Sequence, residues 1–176
     1  MENRVKQKKF VSLVLYLHNT QNEVVPFFQK VLPVFRDNFT NFEIVCVNDA
    51  CTDGTIGVLK EYLEENHCSE MVNIIHMSFF HGLESAMNAG RDLAIGDFIY
   101  EFDTAYVDYP SELIMEVYDK LLEGNDIVSA GTRDHVRMTS GFFYFCYNKT
   151  SRGRGKIGPE TFRIVSRRAI NRIKSI

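Results

Sequence analysis

The side chains best suited to chemistry stand directly after short apolar runs. "FEIVCVNDACTDGT" ends one run on Asp49, with Asp53-Gly54-Thr55 close behind. "FIYEFDTAYVDYP" ends another on Asp103, with Ala105 where a second carboxylate would complete a cation-binding pair. Carboxylates so placed ligate a metal or accept hydrogen bonds from a base or ribose. Asp53 has a competing reading as the cap of the helix that follows. Asp49 has no obvious capping work. His18-Asn19-Thr20, "SFFHG" and "GTRDHVR" follow three further apolar runs.

Those segments need elements that bring them together. Apolar runs at Phe10 to Leu17, Phe42 to Val47, Met71 to Met77, Asp97 to Phe102 and Ile127 to Ala130 alternate with amphipathic stretches. The stretches cover Asn22 to Phe35, Thr55 to Leu63, Leu83 to Ala94 and Ser111 to Leu122. Continuous apolar strands separated by helices predict βαβ units and a mostly parallel sheet with helices on both faces. Leu83, Ala86, Met87, Gly90 and Leu93 form one helical stripe. Gly96 is expected to close that helix and Pro110 to open the next. Pro26 and Pro33 weaken the first helix, because an interior proline kinks or ends a helix. The tail reads as an aromatic segment, "SGFFYFCYN", a basic loop, "KTSRGRGKIG", and a short strand and helix in "TFRIVSRRAINRI". Ligands of such sheets bind outside the carboxyl ends of the strands, where the singled-out residues converge.

The 176 residues fit one domain, with a core at 10–133 and a basic segment at 134–176. No apolar run reaches the roughly 18 residues of a membrane helix. "MENRVKQKKFVSLVLYL" resembles a leader only briefly and runs on without a small-residue cleavage site. Cys46, Cys51, Cys68 and Cys146 lack metal spacing and read as cytosolic free thiols. Residues 1–130 hold 9 Lys and Arg against 21 Asp and Glu, and residues 131–176 hold 11 against 2. So basic a final quarter is either a set of solvated helix faces or a partner for phosphate or an anionic membrane surface. G-x-x-x-x-G-K-[ST] and G-x-G-x-x-G are both missing, which removes P-loop and dinucleotide-binding readings.

Taken together, "VSLVLYLHNTQNEV", "FEIVCVNDACTDGT", "FFHGLESAMNAGRDLAIGDFIYEFDTAYVDYPSEL" and "LLEGNDIVSAGTRDH" resemble glycosyltransferase family two in order and spacing, over about Val11 to Arg133. "FHGLESAMNAG" and "ETFRIVSRRAI" are similar to the polyprenyl-phosphate branch, the dolichyl-phosphate mannose synthase type. The resemblance implies a GT-A fold and inverting transfer of a sugar from a UDP- or GDP-sugar to a lipid phosphate or glycan intermediate. It implies Tyr16, His18, Asn19, Asp49, Gly82, Asp103 and Thr104 at the donor, with Asp49 at the base. It places Asp103, Arg133 and Arg137 in catalysis, and Arg133, Arg137 and Arg163 at the acceptor phosphate. Asp103 would be the metal ligand for Mg2+ or Mn2+. A phosphate acceptor is already anionic, so arginines rather than a strong base are needed to hold it. The expected location is cytoplasmic, peripheral at the inner face of a membrane. Nucleic acid is not expected as a partner. Relatives of that branch often continue into amphipathic or transmembrane helices, which leaves open a shortened piece and a natural minimal form.

The departures from the family pattern are specific. Tyr16 stands where the family has proline, Thr20 where an acid is usual, Asn48 at the first of two aspartates, Thr161 at the aspartate of "G-D-F-R", and Ala105 at the second D-x-D aspartate. Three accounts stay open at this point. One is an active transferase with weak or metal-independent binding, in which Asp108 or Glu101 assists Asp103. Another is a catalytically silent relative that binds a nucleotide sugar or a partner protein. The third is a basic-tailed nucleic-acid binder, weakened because Phe142, Phe143, Tyr144, Phe145 and Tyr147 are too continuous for spaced stacking platforms.

Overall fold

The computed structural model describes residues 5–131 and 161–174. Its elements run β1 (Val11–Leu17), α1 (Val24–Asn38), β2 (Phe42–Asn48), α2 (Thr55–Glu65), β3 (Val72–His76), α3 (Leu83–Leu93), β4 (Phe98–Phe102), α4 (Leu113–Leu122), β5 (Ile127–Ala130), β6 (Phe162–Ser166) and α5 (Arg167–Lys174). The sheet order is β3-β2-β1-β4-β6-β5. β1 pairs in parallel with β2 and β4, and β2 with β3, with Leu17 opposite Asn48 and Val14 opposite both Val45 and Glu101. The parallel expectation holds for the first five strands. β6 is the departure: it lies antiparallel between β4 and β5. The βαβ unit from β4 to β5 therefore has another strand threaded through it.

Alternation along the strands separates two apolar layers. Leu13, Leu15, Leu17, Tyr100 and Phe102 face α1, α2 and α4 in the larger cluster. Val14, Val45, Val47, Ile99 and Val165 face α3 and α5 in the smaller one. Burial on both faces explains why the strands read as unbroken apolar runs. α3 lies close against the second layer because Gly90 has no side chain. A Cβ there would come within 2.4 Å of Val14 and 2.9 Å of Val47.

Several boundary expectations shift. α1 continues to Asn38 through Pro33, because that proline lies on the exposed face, where the carbonyl it leaves unbonded reaches water. Val24, Phe27, Phe28, Val31, Leu32 and Phe35 keep the buried stripe intact. α3 ends at Leu93, and Ala94 is already extended. Gly96 instead permits a close approach to β1, since a Cβ would meet the Ser12 nitrogen at 2.5 Å. α4 starts three residues beyond Pro110, after a turn in which the Leu113 N–H donates to the Pro110 carbonyl.

Part of the basic C-terminal charge is used inside the fold. Arg167 donates to the carbonyls of Ala94 (2.6 Å) and Gly96 (3.0 Å), just past the end of α3. Arg168 and Arg172 pair with Asp126 at 2.7 and 3.8 Å. Cys46, Cys51 and Cys68 are free thiols. Among the described residues no helix is long and apolar enough to cross a membrane. Arg133, Arg137, Cys146 and the aromatic and glycine-rich tail segments lie outside the described residues.

Candidate active site

The loops after β1 and β2 are fastened to each other by side chains acting on backbone. Asn19 Oδ1 accepts from the N–H groups of Thr52 (2.8 Å) and Asp53 (3.4 Å), and Gln21 Oε1 accepts from Gly54 N–H (3.0 Å). In return Asp53 Oδ2 accepts from Gln21 N–H, and the Thr55 hydroxyl from Thr20 N–H. Asp53 Oδ1 also accepts from the Thr55 N–H at 3.0 Å, so Asp53 does serve the start of α2. Asn19 and Ala50 both have φ near +50°, the left-handed region, which is costly for alanine. This tight reversal after each strand is where the backbone turns toward the ligand side of the sheet.

Asp49, expected at the base of the donor, has protein partners from three other segments. It is 0% exposed, and its Oδ1 accepts from His81 N–H and its Oδ2 from Gly82 N–H, each at 2.8 Å. The Tyr16 hydroxyl donates to Oδ2 at 3.1 Å, and His18 Nδ1 lies 2.7 Å from the Asp49 carbonyl. Burial and the Asp49 carboxylate push the Tyr16 phenol up to about 12, since both disfavour a second negative charge. Gly82, at φ +84°, caps α3 in a conformation that suits glycine. The segment before it carries exposed Phe79 and Phe80, with Phe80 against His18 and Phe79 stacked on His81. Asn48, at a family aspartate position, has its amide nitrogen 2.9 Å from His76 Nδ1 and accepts from Cys51 N–H (2.9 Å). An amide can serve both bonds, since it donates as well as accepts.

The end of β4 is built differently. Asp103 is half-buried, and Thr104 and Asp108 are exposed. Ala105 is 0% exposed and belongs to the larger apolar cluster, together with Phe102, Tyr109 and Phe162. Phe162 packs on both aromatic rings, 4.8 Å from Phe102 and 5.0 Å from Tyr109 between centroids. Glu101, two residues before Asp103, is 1% exposed and held by two guanidiniums. Arg91 of α3 approaches one oxygen at 2.6 Å and Arg163 of β6 the other at 2.5 Å. Glu101 is therefore not available to assist Asp103, because both its oxygens are engaged. Arg163, expected at an acceptor phosphate, is placed on this buried carboxylate. Thr161 donates its N–H to the Ala130 carbonyl at the open end of the β5–β6 pair.

The donor set among the described residues does not fit a divalent cation. Both oxygens of Asp49 already accept hydrogen bonds, Glu101 is paired, Ala105 is turned inward, and no group of three metal-ligating side chains occurs among the described residues. The arrangement brings Tyr16, His18, Asn19, Asp49 and Gly82 together at one rim, with Asp103 and Thr104 beyond β1. A cavity of about 680 Å³ lies elsewhere, between α1 and α4 beside Lys30, Asp37 and Glu112. Having no tie to the strand ends, it is not the site. A smaller cleft of about 210 Å³ does border the β4 loop, at Asn22, Pro26, Ala105 and Tyr106. Arg91 and His81 were missed in the sequence reading. His81 could have been found beside Gly82 in "SFFHG", and Arg91 from its place four residues after Met87 on the packed stripe.

Known proteins share this architecture. The structures of a mannosyltransferase from Pyrobaculum calidifontis in complex with GDP-Man and Mn2+ and of glucosyl-3-phosphoglycerate synthase from Mycobacterium tuberculosis with Mn2+, UDP and phosphoglyceric acid both superpose with TM-scores of 0.70. They are 16% and 14% identical, and the match covers 95% and 91% of this chain and 47% and 56% of theirs, which establishes the GT-A fold. In sequence, an uncharacterized glycosyltransferase of Synechocystis sp. is 32% identical over 94% of this chain and 53% of its own length. The bactoprenol glucosyl transferase of Shigella phage SfV is 30% identical over 93% and 54%. The chain thus spans about half the length of the curated relatives it matches. The profile of glycosyl transferase family 2 matches residues 12–175, and the chain belongs to that family.

Proposed function

We propose that the chain forms the nucleotide-sugar-binding part of a transferase that moves a sugar from a UDP- or GDP-sugar to a polyprenyl phosphate at the cytoplasmic face of a membrane. The observation that carries this reading is the convergence of Tyr16, His18, Asn19, Asp49 and Gly82 on one rim of a family 2 fold, with Asp103 at the neighbouring strand end. The similarity to bactoprenol glucosyl transferases over 93% of the chain supports the lipid-phosphate acceptor. In such a transfer an acceptor phosphate oxygen forms a bond to the anomeric carbon as the carbon–oxygen bond to the nucleoside diphosphate breaks, with inversion. The chain's work is to fix the two reactants in line and to stabilise charge growing on the departing diphosphate. Arg133 and Arg137 are assigned to the phosphates, and no general base is required.

A second reading is favoured by Ala105. Its burial among aromatic side chains removes a family carboxylate and commits the position to packing, as expected of a relative that binds a nucleotide sugar without turning it over. Calorimetric titration with UDP, GDP and their sugars tests the shared element, and transfer of labelled sugar to polyprenyl phosphate separates the two. Binding with transfer supports the first reading, and binding without transfer supports the second. Failure to bind any of these nucleotides defeats both.

A further inference from the structure

We propose that this chain takes the diphosphate of its nucleotide without a divalent cation, the end of β4 being built around guanidinium charge and apolar packing instead of a carboxylate pair. The inference rests on the donor-binding reading above and specifies how that site handles charge.

Three independent observations point the same way. First, the position that would hold the second carboxylate has changed its side of the boundary between core and solvent. Ala105 is fully buried and part of the cluster of Phe102, Tyr109 and Phe162, so a carboxylate there would be desolvated among rings rather than presented to a cation. Second, Glu101, two residues before Asp103, is clamped by Arg91 and Arg163 at 2.6 and 2.5 Å, which sets two positive groups against one negative group. Third, Asp49 has both oxygens occupied by the N–H groups of His81 and Gly82 and by the Tyr16 hydroxyl.

One carboxylate and a diphosphate can together hold Mg2+ where the surroundings are neutral or acidic. Here the charges of Arg91 and Arg163 are opposed by Glu101 alone, and the one positive charge left over on this junction disfavours a dication next to it. The same net positive charge favours a diphosphate anion by attraction across space while both guanidiniums stay on Glu101. The electrostatic task given to a cation in a metal-dependent site thus falls to protein groups that need no metal.

The test titrates UDP and GDP into the full chain in EDTA and again in excess Mn2+, with Mn2+ binding to the protein alone followed by electron paramagnetic resonance. The expected result is dissociation constants within about threefold of each other, a difference of well under 1 kcal/mol, and no protein-bound Mn2+ signal. Tightening by tenfold or more in Mn2+ overturns the proposal while leaving the donor reading standing. No binding in either condition overturns both. Ala105→Asp supplies a second measurement: a lower melting temperature with Mn2+-insensitive binding is expected, and Mn2+-dependent tightening in that variant counts against the proposal.

Discussion

At the end of β2 one carboxylate gathers neutral donors, whereas at the end of β4 a carboxylate is matched by two cations and its neighbour in sequence is apolar. Asp49 takes two backbone N–H groups and a phenol, all from other segments, and so ties the β3–α3 turn and β1 to β2. Glu101 takes Arg91 and Arg163, and so ties α3 and β6 to β4. Both acids are buried, yet the first is an anchor for polypeptide and the second a junction of charges. The contrast teaches that a strand-end acid can serve as architecture.

The sharpest way to break the comparison is to remove the acid from the charged end. Glu101→Ala leaves two guanidiniums facing one another at a buried position, a change worth about 3–5 kcal/mol of stability. Chemical denaturation measures it, and a loss below about 1 kcal/mol would show that the triad is not a structural junction. Glu101→Gln keeps the shape but not the charge and is expected to lose nearly as much, because the deficit is electrostatic.

At the neutral end the expected effect is smaller. Asp49→Asn replaces one accepting oxygen by an NH2 group that faces a donor, which costs about 1.5–3 kcal/mol. Hydrogen exchange should localise the change, with the amides of His81 and Gly82 losing protection before those of β1 and β2. Equal loss of protection across the sheet would mean that Asp49 is part of the global core rather than the anchor of one turn.

How far these differences were legible in the sequence depends on which contacts are local. The strands, the helices between them and the α3 stripe follow from periodicity, and the convergence of loops at the carboxyl ends follows from parallel topology. The insertion of β6 was not legible, since the antiparallel pairing of Tyr100 with Ile164 joins residues far apart and leaves no periodic trace. Asp103 and Ala105 were visible as a missing carboxylate, but not the inward turn that buries Ala105 against Phe162 from the far end of the chain. Asp49 was identified as special for a sound reason, the lack of a local capping task, but its protein partners were not legible. What satisfies it arrives from the third strand's loop and from a tyrosine on β1, neither of which spacing alone connects to it.

Tyr16 offers the mildest and most informative test, because it is the one side-chain donor to Asp49 among the described residues and stands where the family carries proline. Tyr16→Phe removes a single hydrogen bond to a carboxylate that keeps its two backbone donors, so the loss near neutral pH should be about 1 kcal/mol. The pH dependence identifies its source. A phenol pushed up to about 12 in the folded chain and near 10 when unfolded binds more protons folded than unfolded across that interval. Its contribution is therefore fully present below about pH 10 and lost as pH rises toward 12. In wild type, stability should fall along this alkaline limb, and in Tyr16→Phe the limb should flatten relative to wild type. Other buried tyrosines contribute equally to both proteins, so the difference between the two curves isolates Tyr16. Parallel curves would mean that the phenol does not lean on Asp49, and the neutral end of the comparison would then rest on backbone donors alone.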